Sequence, residues 1–157
     1  MPSRTFSFEV NRVSSARPET LFRLETDGEL WSSWARPLVL QSGWVRHGDP
    51  PPAGVGAVRR VGLWPVLLQE RTVEYEPDRR HVYAFTGRII PARDYRAEAL
   101  FTPNAAGGTD LRWRGTFTAA RPLVGAVTLR LLHAAIRFLS ARLVRAAERA
   151  EHRDADA

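Results

Sequence analysis

The sequence predicts an α+β domain in which an antiparallel sheet is covered by a long C-terminal helix. Short segments with apolar residues at every second position predict strands, and turn-forming residues separate them. Helical patterns are confined to one stretch after the first strand and to the end of the chain. Helices that do not alternate with strands favour α+β over a parallel sheet, and 157 residues fit a single domain, 1–157, with a sizeable core.

The first strand is predicted at 5–13, where Phe6, Phe8 and Val10 alternate with polar residues. Pro18 suits the first turn of a short helix within 16–27. A second short helix is predicted from Leu30 to a point before Pro37. Six further strands are predicted at 38–46, 56–61, 66–75, 81–86, 94–102 and 109–117.

The last helix is expected to begin at Pro122 and to reach roughly Ala150, with residues 148–157 frayed. At about 1.5 Å per residue it is on the order of 40 Å long, enough to cross a small domain. Arg130, His133 and Arg137 share one narrow stripe, and apolar residues occupy the rest of the surface. This arc is wider than one helix–sheet contact needs, so part of it either is buried by loops, lines a cavity or meets a partner subunit.

Composition and charge restrict the function classes. The chain has no cysteine, which excludes disulfides and thiolate chemistry. No signal peptide is recognisable, and charges within residues 123–139 argue against a stable membrane span, so a soluble cytoplasmic protein is expected. The net charge is +6, and all 23 basic residues are arginines dispersed among acids. Dispersed charge favours general solubility, and nucleic acid is not expected as a partner.

Motifs for metals, nucleotides and nucleophiles are absent from the sequence. His47 and Asp49 flank a glycine but lack a third ligand at suitable spacing, and Gly54 and Gly56 lack the third glycine of a dinucleotide fingerprint. No serine occupies a nucleophile elbow. His81 follows two arginines at a turn and is expected to be exposed. No metal and no cofactor are therefore expected.

A hairpin between residues 56 and 75 provides one geometric prediction. A turn centred near Trp64 and Pro65 places Arg59 directly opposite Glu70. On the outer face of the sheet, this would be an ordinary surface pair. On the inner face, it would be a desolvated pair that could bind a ligand carboxylate, phosphate or carbonyl.

Several phrases, in order, resemble the START-related polyketide cyclase/dehydrase-like superfamily, also called SRPBCC: ARPETLFRLETDGELWSSW, GVGAVRRV, QERTVEYEPDRRHVYAF and GGTDLRWRGTF. The resemblance extends from about Phe6 to Glu148. It implies a helix-grip fold, in which a seven-stranded antiparallel sheet wraps around the C-terminal helix and leaves a cavity between them. Members bind lipids, polyketides or other apolar ligands, and some catalyse cyclisation or dehydration.

By likeness, Trp113 points into the cavity, and the two-residue period then turns neighbouring strand positions inward. Small alanines at 97 and 99, between Tyr95 and Phe101, are expected to leave space there. Core packing is the alternative for each aromatic residue. The candidate ligand-binding residues are Arg59, Glu70, Thr72, Tyr83, Phe85, Tyr95, Phe101, Trp113, Phe117, Val127, Leu131 and Phe138, and the candidate catalytic residues are Glu70, Tyr83 and Tyr95.

Three functional hypotheses follow. The first is a binding protein for an apolar or amphipathic small molecule, with Arg59 and Glu70 at the polar end of the cavity. The second is a cyclase or dehydratase that acts on a polyketide-like substrate, with Tyr83 or Tyr95 as acid. The third is a non-catalytic protein that forms a homodimer through the apolar arc of the last helix.

Overall fold

The computed structural model describes residues 2–157. Its strands are β1 (Arg4–Ser14), β2 (Gln41–Arg46), β3 (Val58–Leu63), β4 (Val66–Glu76), β5 (Arg80–Phe85), β6 (Arg93–Pro103) and β7 (Thr109–Ala119). Its helices are α1 (Pro18–Thr26), α2 (Trp31–Trp34) and α3 (Pro122–Ala155). The predicted order of elements is confirmed.

All seven strands belong to one antiparallel sheet in the order β1-β7-β6-β5-β4-β3-β2. Strands β2 to β7 follow one another as a meander, and β1 pairs with β7 at the far edge. Because β1 and β2 lie at opposite edges, α1 and α2 carry the chain across the sheet. This arrangement is the helix-grip fold.

Helix α3 packs mainly against β1, with further contacts to α1 and β7. The buried side of α3 includes Leu132, Ile136, Leu139 and Leu143. The helix therefore leans toward the β1–β7 edge of the sheet. This position leaves the inner faces of β3, β4 and β5 free to border a cavity.

Large aromatic residues fill the part of the interior near α1 and α2. The Trp31 ring lies 6.1 Å from Trp113 and 4.7 Å from Trp34, measured between centroids. Phe22 of α1 meets the edge of Phe101 at 5.7 Å. Burial of such rings is worth roughly 1.5–3 kcal/mol per side chain, so this cluster anchors the short helices to the sheet.

Strand β2 begins at Gln41, three residues later than the predicted 38. The backbone N–H of Val39 donates to the carbonyl of Ala35, which continues the turn that follows α2. Residues 38–40 therefore belong to a connection and not to the sheet. Val39 within this connection is buried in the core.

Helix α3 ends at Ala155, five residues beyond the predicted end near Ala150. Side chains in its last turns are fixed by the segment that joins β1 to α1. Glu148 Oε1 accepts hydrogen bonds from Ser14 Oγ at 3.0 Å and from the Ser15 N–H at 3.2 Å. Glu151 forms an ion pair with Arg17 at 2.9 Å. These long-range contacts explain why the helix continues where composition predicted fraying.

By length and composition, α3 could cross a membrane. The mean hydropathy of its most apolar 18-residue window is 1.4, and 33% of that window is buried. Core helices of soluble proteins meet the same criterion. The low burial has a local cause, because Leu123, Val127 and Leu131 border a cavity.

Candidate functional site

A cavity of about 810 Å³ lies between α3 and the inner faces of strands β3 to β6. This volume falls within the range of small-molecule sites, roughly 300–1,000 Å³. Its wall is almost entirely apolar. Helix α3 contributes Leu131, Leu132, Ala135, Ile136 and Leu139, the strands contribute Val61, Leu68, Glu70, Tyr83, Phe85 and Tyr95, and the connections contribute Leu38, Val39, Ile89, Ile90 and Pro91.

The structure places half of the predicted ligand-binding residues on the cavity wall. They come from β4, β5, β6 and α3, and they are Glu70, Tyr83, Phe85, Tyr95, Val127 and Leu131. The rings of Phe85 and Tyr95 stack with centroids 3.9 Å apart and form one flat side of the cavity.

The other half of the predicted residues lie away from the wall: Arg59, Thr72, Phe101, Trp113, Phe117 and Phe138. Phe101 packs on Phe22, and Phe117 stacks on Phe6 with centroids 5.3 Å apart. Phe138 is 37% exposed. The space expected beside Ala97 and Ala99 is filled, because both alanines are buried within the aromatic core. Phe101, Trp113 and Phe117 therefore follow the core-packing alternative, whereas Phe138 does not.

Arg59 and Glu70 form the predicted cross-strand pair, and the pair faces inward. They are direct register partners, with 3% and 5% of their residue surface exposed. Arg59 Nε and Nη2 donate to Glu70 Oε2 at 3.1 and 2.8 Å. The guanidinium carbon lies 4.5 Å from the Trp31 ring centroid and 4.9 Å from that of Tyr83, which adds cation–π attraction.

Glu25 of α1 is a second carboxylate that the sequence analysis did not single out. Its Oε1 accepts from Arg59 Nη2 at 3.1 Å, and its backbone carbonyl accepts from Arg59 Nη1. Glu25 is fully buried on a helix face that also carries Leu21. Residues four apart lie on the same face of a helix, so the apolar Leu21 was a weak sequence signal that Glu25 is buried.

His81 is 1% exposed, and the expectation that it would be exposed was wrong. Its Nδ1 lies 2.8 Å from Glu25 Oε2. Because a carboxylate can only accept a hydrogen bond, Nδ1 is the ring nitrogen that carries the proton and donates it. Its Nε2 shares a hydrogen bond with Thr72 Oγ1 at 3.0 Å. A signal was available: the two-residue period places His81 on the same face as Tyr83.

Neighbouring charges control ionisation within this cluster. Burial alone would raise the pKa of the Glu25 carboxyl, but His81 and Arg59 more than offset burial and hold that pKa below its ordinary value. Burial alone would lower the pKa of the Arg59 guanidinium, but Glu70 and Glu25 outweigh burial and raise that pKa above its ordinary value. Glu25 and Arg59 are therefore both charged at neutral pH.

Two tyrosines carry neutral hydroxyl groups at the cavity. Burial raises the pKa of Tyr83 well above its ordinary value, and Glu70 adds to the effect. Burial likewise raises the pKa of Tyr95, again with a contribution from Glu70. The Tyr83 hydroxyl accepts a hydrogen bond from Trp113 Nε1 at 3.1 Å, which fixes its position. The wall thus combines one carboxylate with two protonated phenols.

The sequence matches the family described as "Polyketide cyclase / dehydrase and lipid transport" over residues 5–148. The chain belongs to this family, and to the SRPBCC superfamily. The resemblance drawn from the sequence is thereby confirmed. The match covers every strand and most of α3, so the cavity lies entirely within the family domain. A comparison with curated proteins found no match.

Solved structures with the same fold share little sequence with this family member. A protein of unknown function from Staphylococcus aureus is 10% identical, with a TM-score of 0.74 and coverage of 96% of this chain and 98% of that one. Norcoclaurine synthase from Thalictrum flavum, in a complex with a transition-state analogue, is 11% identical, with a TM-score of 0.73 and coverage of 98% and 99%. Ara h 8.0201 is 15% identical, with a TM-score of 0.64 and coverage of 90% and 99%. At these identities the likeness establishes the fold alone.

Proposed function

We propose that this polyketide cyclase/dehydrase-type protein binds an apolar or amphipathic small molecule in the cavity between its sheet and α3. The observation that carries the proposal is the composition of the wall around about 810 Å³ of space. Apolar side chains surround most of it, and the polar groups Glu70, Tyr83 and Tyr95 come from adjacent strands. A wall of this kind contributes apolar burial from most of its area and orientation from its polar groups. A cytoplasmic location is part of this proposal.

Filling the cavity tests the proposal directly. Ala135 and Ala134 are adjacent on α3, but only Ala135 lines the cavity, whereas Ala134 is exposed. We expect wild-type protein and Ala134→Trp to enhance the fluorescence of N-phenyl-1-naphthylamine, a neutral apolar probe. Ala135→Trp should lose this enhancement while keeping its circular dichroism spectrum. Equal enhancement by both variants, or none by the wild type, would contradict the proposal.

A second candidate function is cyclase or dehydratase chemistry in the same cavity. It is favoured by the placement of the Glu70 carboxylate and the protonated Tyr95 hydroxyl on one wall, because a base and an acid are what such reactions require. Glu70→Gln and Tyr95→Phe should each reduce turnover of a polyketone panel by about 10²-fold or more. Unchanged turnover in both variants would exclude this function.

A further inference from the structure

Arg59 is not available to bind an anionic ligand. Its three nitrogens donate to Glu70 Oε2, to Glu25 Oε1 and to the Glu25 carbonyl. The rings of Trp31 and Tyr83 lie close to its guanidinium. It is 3% exposed and does not reach the cavity wall. The hydrogen-bond donors of the Arg59 guanidinium are therefore already engaged by acceptors of the protein.

Glu70 is the charged group that does reach the cavity. Both hydrogen bonds from Arg59 end on its Oε2. Within residues 2–157, no side-chain or backbone donor contacts its Oε1. The side chain is nine-tenths buried, at 6% exposure, and lies on the wall. This Oε1 is not among the fully buried side-chain atoms, so it is open to accept a hydrogen bond from a donor on an occupant of the cavity.

Resting on the proposed function, we infer that the ligand's polar end is a hydrogen-bond donor, a hydroxyl or a protonated amine, that binds Glu70 Oε1. A ligand carboxylate or phosphate at this position would bring a second anion against Glu70, with no free cation to compensate. Tyr83 and Tyr95 line the same wall, and a phenol hydroxyl can both donate a hydrogen bond to such a group and accept one from it. The Arg59–Glu70 pair thus selects against fatty acids. This selectivity is the opposite of the one expected if Arg59 bound a ligand carboxylate.

Displacement of N-phenyl-1-naphthylamine by decanol, decylamine and decanoate at neutral pH tests this inference. Decanol and decylamine should displace the probe at concentrations about tenfold or more below that required for decanoate, the ratio expected for one charge-assisted hydrogen bond. Glu70→Gln should remove most of this preference and keep probe binding. Glu9→Gln, which alters an exposed glutamate on β1, should retain the preference.

The outcomes separate the two proposals. Absence of probe binding would overturn the proposed function. Probe binding with decanoate as effective as decanol and decylamine would overturn only the inference about Glu70. If Glu70→Gln does not fold, the wild-type ranking of the three competitors still decides the matter.

A second inference concerns the mouth of the cavity, which carries exposed apolar side chains. We call this set the rim. Each of its side chains is between 51% and 77% exposed, and its members are Leu63, Trp64, Val66, Ile89, Leu123 and Val127. All of them except Trp64 line the cavity, and Trp64 occupies the turn between Leu63 and Val66. Apolar groups that converge on an opening from two connections and a helix end mark an interaction surface.

The chain segments that supply the rim are basic. Residues 60–68, 84–93 and 120–139 contain arginines but no aspartate or glutamate. Arg88 adjoins Ile89, and Arg121 lies two residues before Leu123. Both arginines are exposed, and neither forms an ion pair with any residue of the described chain, 2–157. The rim therefore combines apolar and uncompensated positive groups.

We propose that the rim docks on an anionic phospholipid surface. Apolar side chains enter the boundary between headgroups and acyl chains, while arginines contact the phosphates, each contributing about 1 kcal/mol at an anionic surface. A symmetric dimer through the same rim would instead place arginines of both copies together without a carboxylate. The charge pattern thus favours a membrane surface over a second copy of the chain.

Co-sedimentation with vesicles tests this proposal. Vesicles of phosphatidylcholine with phosphatidylglycerol should sediment the protein, and vesicles of phosphatidylcholine alone should not. Val127→Asp should reduce sedimentation about tenfold or more. Val13→Asp makes the same change at a 74% exposed valine outside the rim and should leave sedimentation unchanged. No binding to anionic vesicles, or a dimer in solution that Val127→Asp dissociates, would overturn the proposal.

Discussion

Arg59 separates two buried carboxylates, Glu25 and Glu70, and contacts both. Replacement by methionine would leave Glu25 with only His81 and Glu70 without an ion-pair partner. Removing one partner of a buried ion pair costs about 3–5 kcal/mol, so Arg59→Met should lower the free energy of unfolding by that amount. Urea denaturation measures the change. Arg79→Met, at a side chain that is 76% exposed, should change it by less than about 0.5 kcal/mol.

Glu25 makes stability depend on acid pH. Its pKa in the folded protein lies below the ordinary value of 4.5, because His81 and Arg59 outweigh the effect of burial. Stabilisation by ionised Glu25 is therefore complete above about pH 4.5 and is lost as pH falls through the folded-state pKa. Glu25→Gln should be less stable than wild type at neutral pH, and the difference should narrow below pH 4.5.

Urea denaturation across this pH range checks that expectation. Glu19→Gln, at an exposed position of the same helix, should follow the wild-type curve throughout. A constant difference between wild type and Glu25→Gln at all pH values would show that Glu25 does not titrate as described.

At the residue scale, the sequence predicted one polar contact and missed the others. Symmetry about the Trp64–Pro65 turn was sufficient to pair Arg59 with Glu70, because register in a tight hairpin follows from the turn. Glu25 reaches the pair from α1, and helix–sheet packing cannot be read from local spacing. The register shift between Thr72 and Glu74 also turns Tyr75 inward, where its ring lies 5.2 Å from Phe22, and a bulge leaves no clear sequence signal.

At the scale of elements, the β3–β4 hairpin depends on Gly62. This residue has φ +149°, and an added Cβ would lie 2.3 Å from the Val66 carbonyl oxygen. Gly62→Ala should therefore cost about 1–3 kcal/mol and loosen the hairpin that borders the cavity. Gly43→Ala is the matched control on neighbouring β2, where no atom lies within 4 Å of the added Cβ. Thermal unfolding and amide exchange of β3 and β4 measure both variants.

Sequence periodicity predicted the elements well and their ends less well. Strand β2 starts late because residues 38–40 complete a turn after α2, and α3 extends because Ser14, Ser15 and Arg17 hold Glu148 and Glu151. The wide apolar arc of α3 was read correctly as an excess over one helix–sheet contact. Part of this arc, at Leu131 and Val127, lines the cavity mouth.

For the whole molecule, ligand binding should appear as thermal stabilisation. A ligand at 100 times its dissociation constant adds about 2.7 kcal/mol to the free energy of unfolding. For a domain of this size, that corresponds to a rise in Tm of about 5–11 °C. Differential scanning fluorimetry with decanol should show this rise for the wild type and not for Ala135→Trp. A similar rise in both proteins would locate binding elsewhere.

The overall fold was predictable because strand periodicity, turn residues and the long final helix all indicate one architecture. The extent of the cavity was not predictable to the same degree. Aromatic residues at inward positions can fill a core or line a cavity, and Phe101, Trp113 and Phe117 do the former. Which of these occurs depends on where α1, α2 and α3 lie over the sheet, and that is a property of tertiary packing.

Trp31 gives the molecule an internal optical reporter. Its indole borders the cavity on one side and lies 4.5 Å from the Arg59 guanidinium carbon. It also lies close to Trp34 and Trp113, so excitation absorbed by any of the three can migrate within the cluster. A bound ligand that excludes solvent from the cavity would lower the polarity around this indole. The emission maximum of the unlabelled protein would then shift to shorter wavelength.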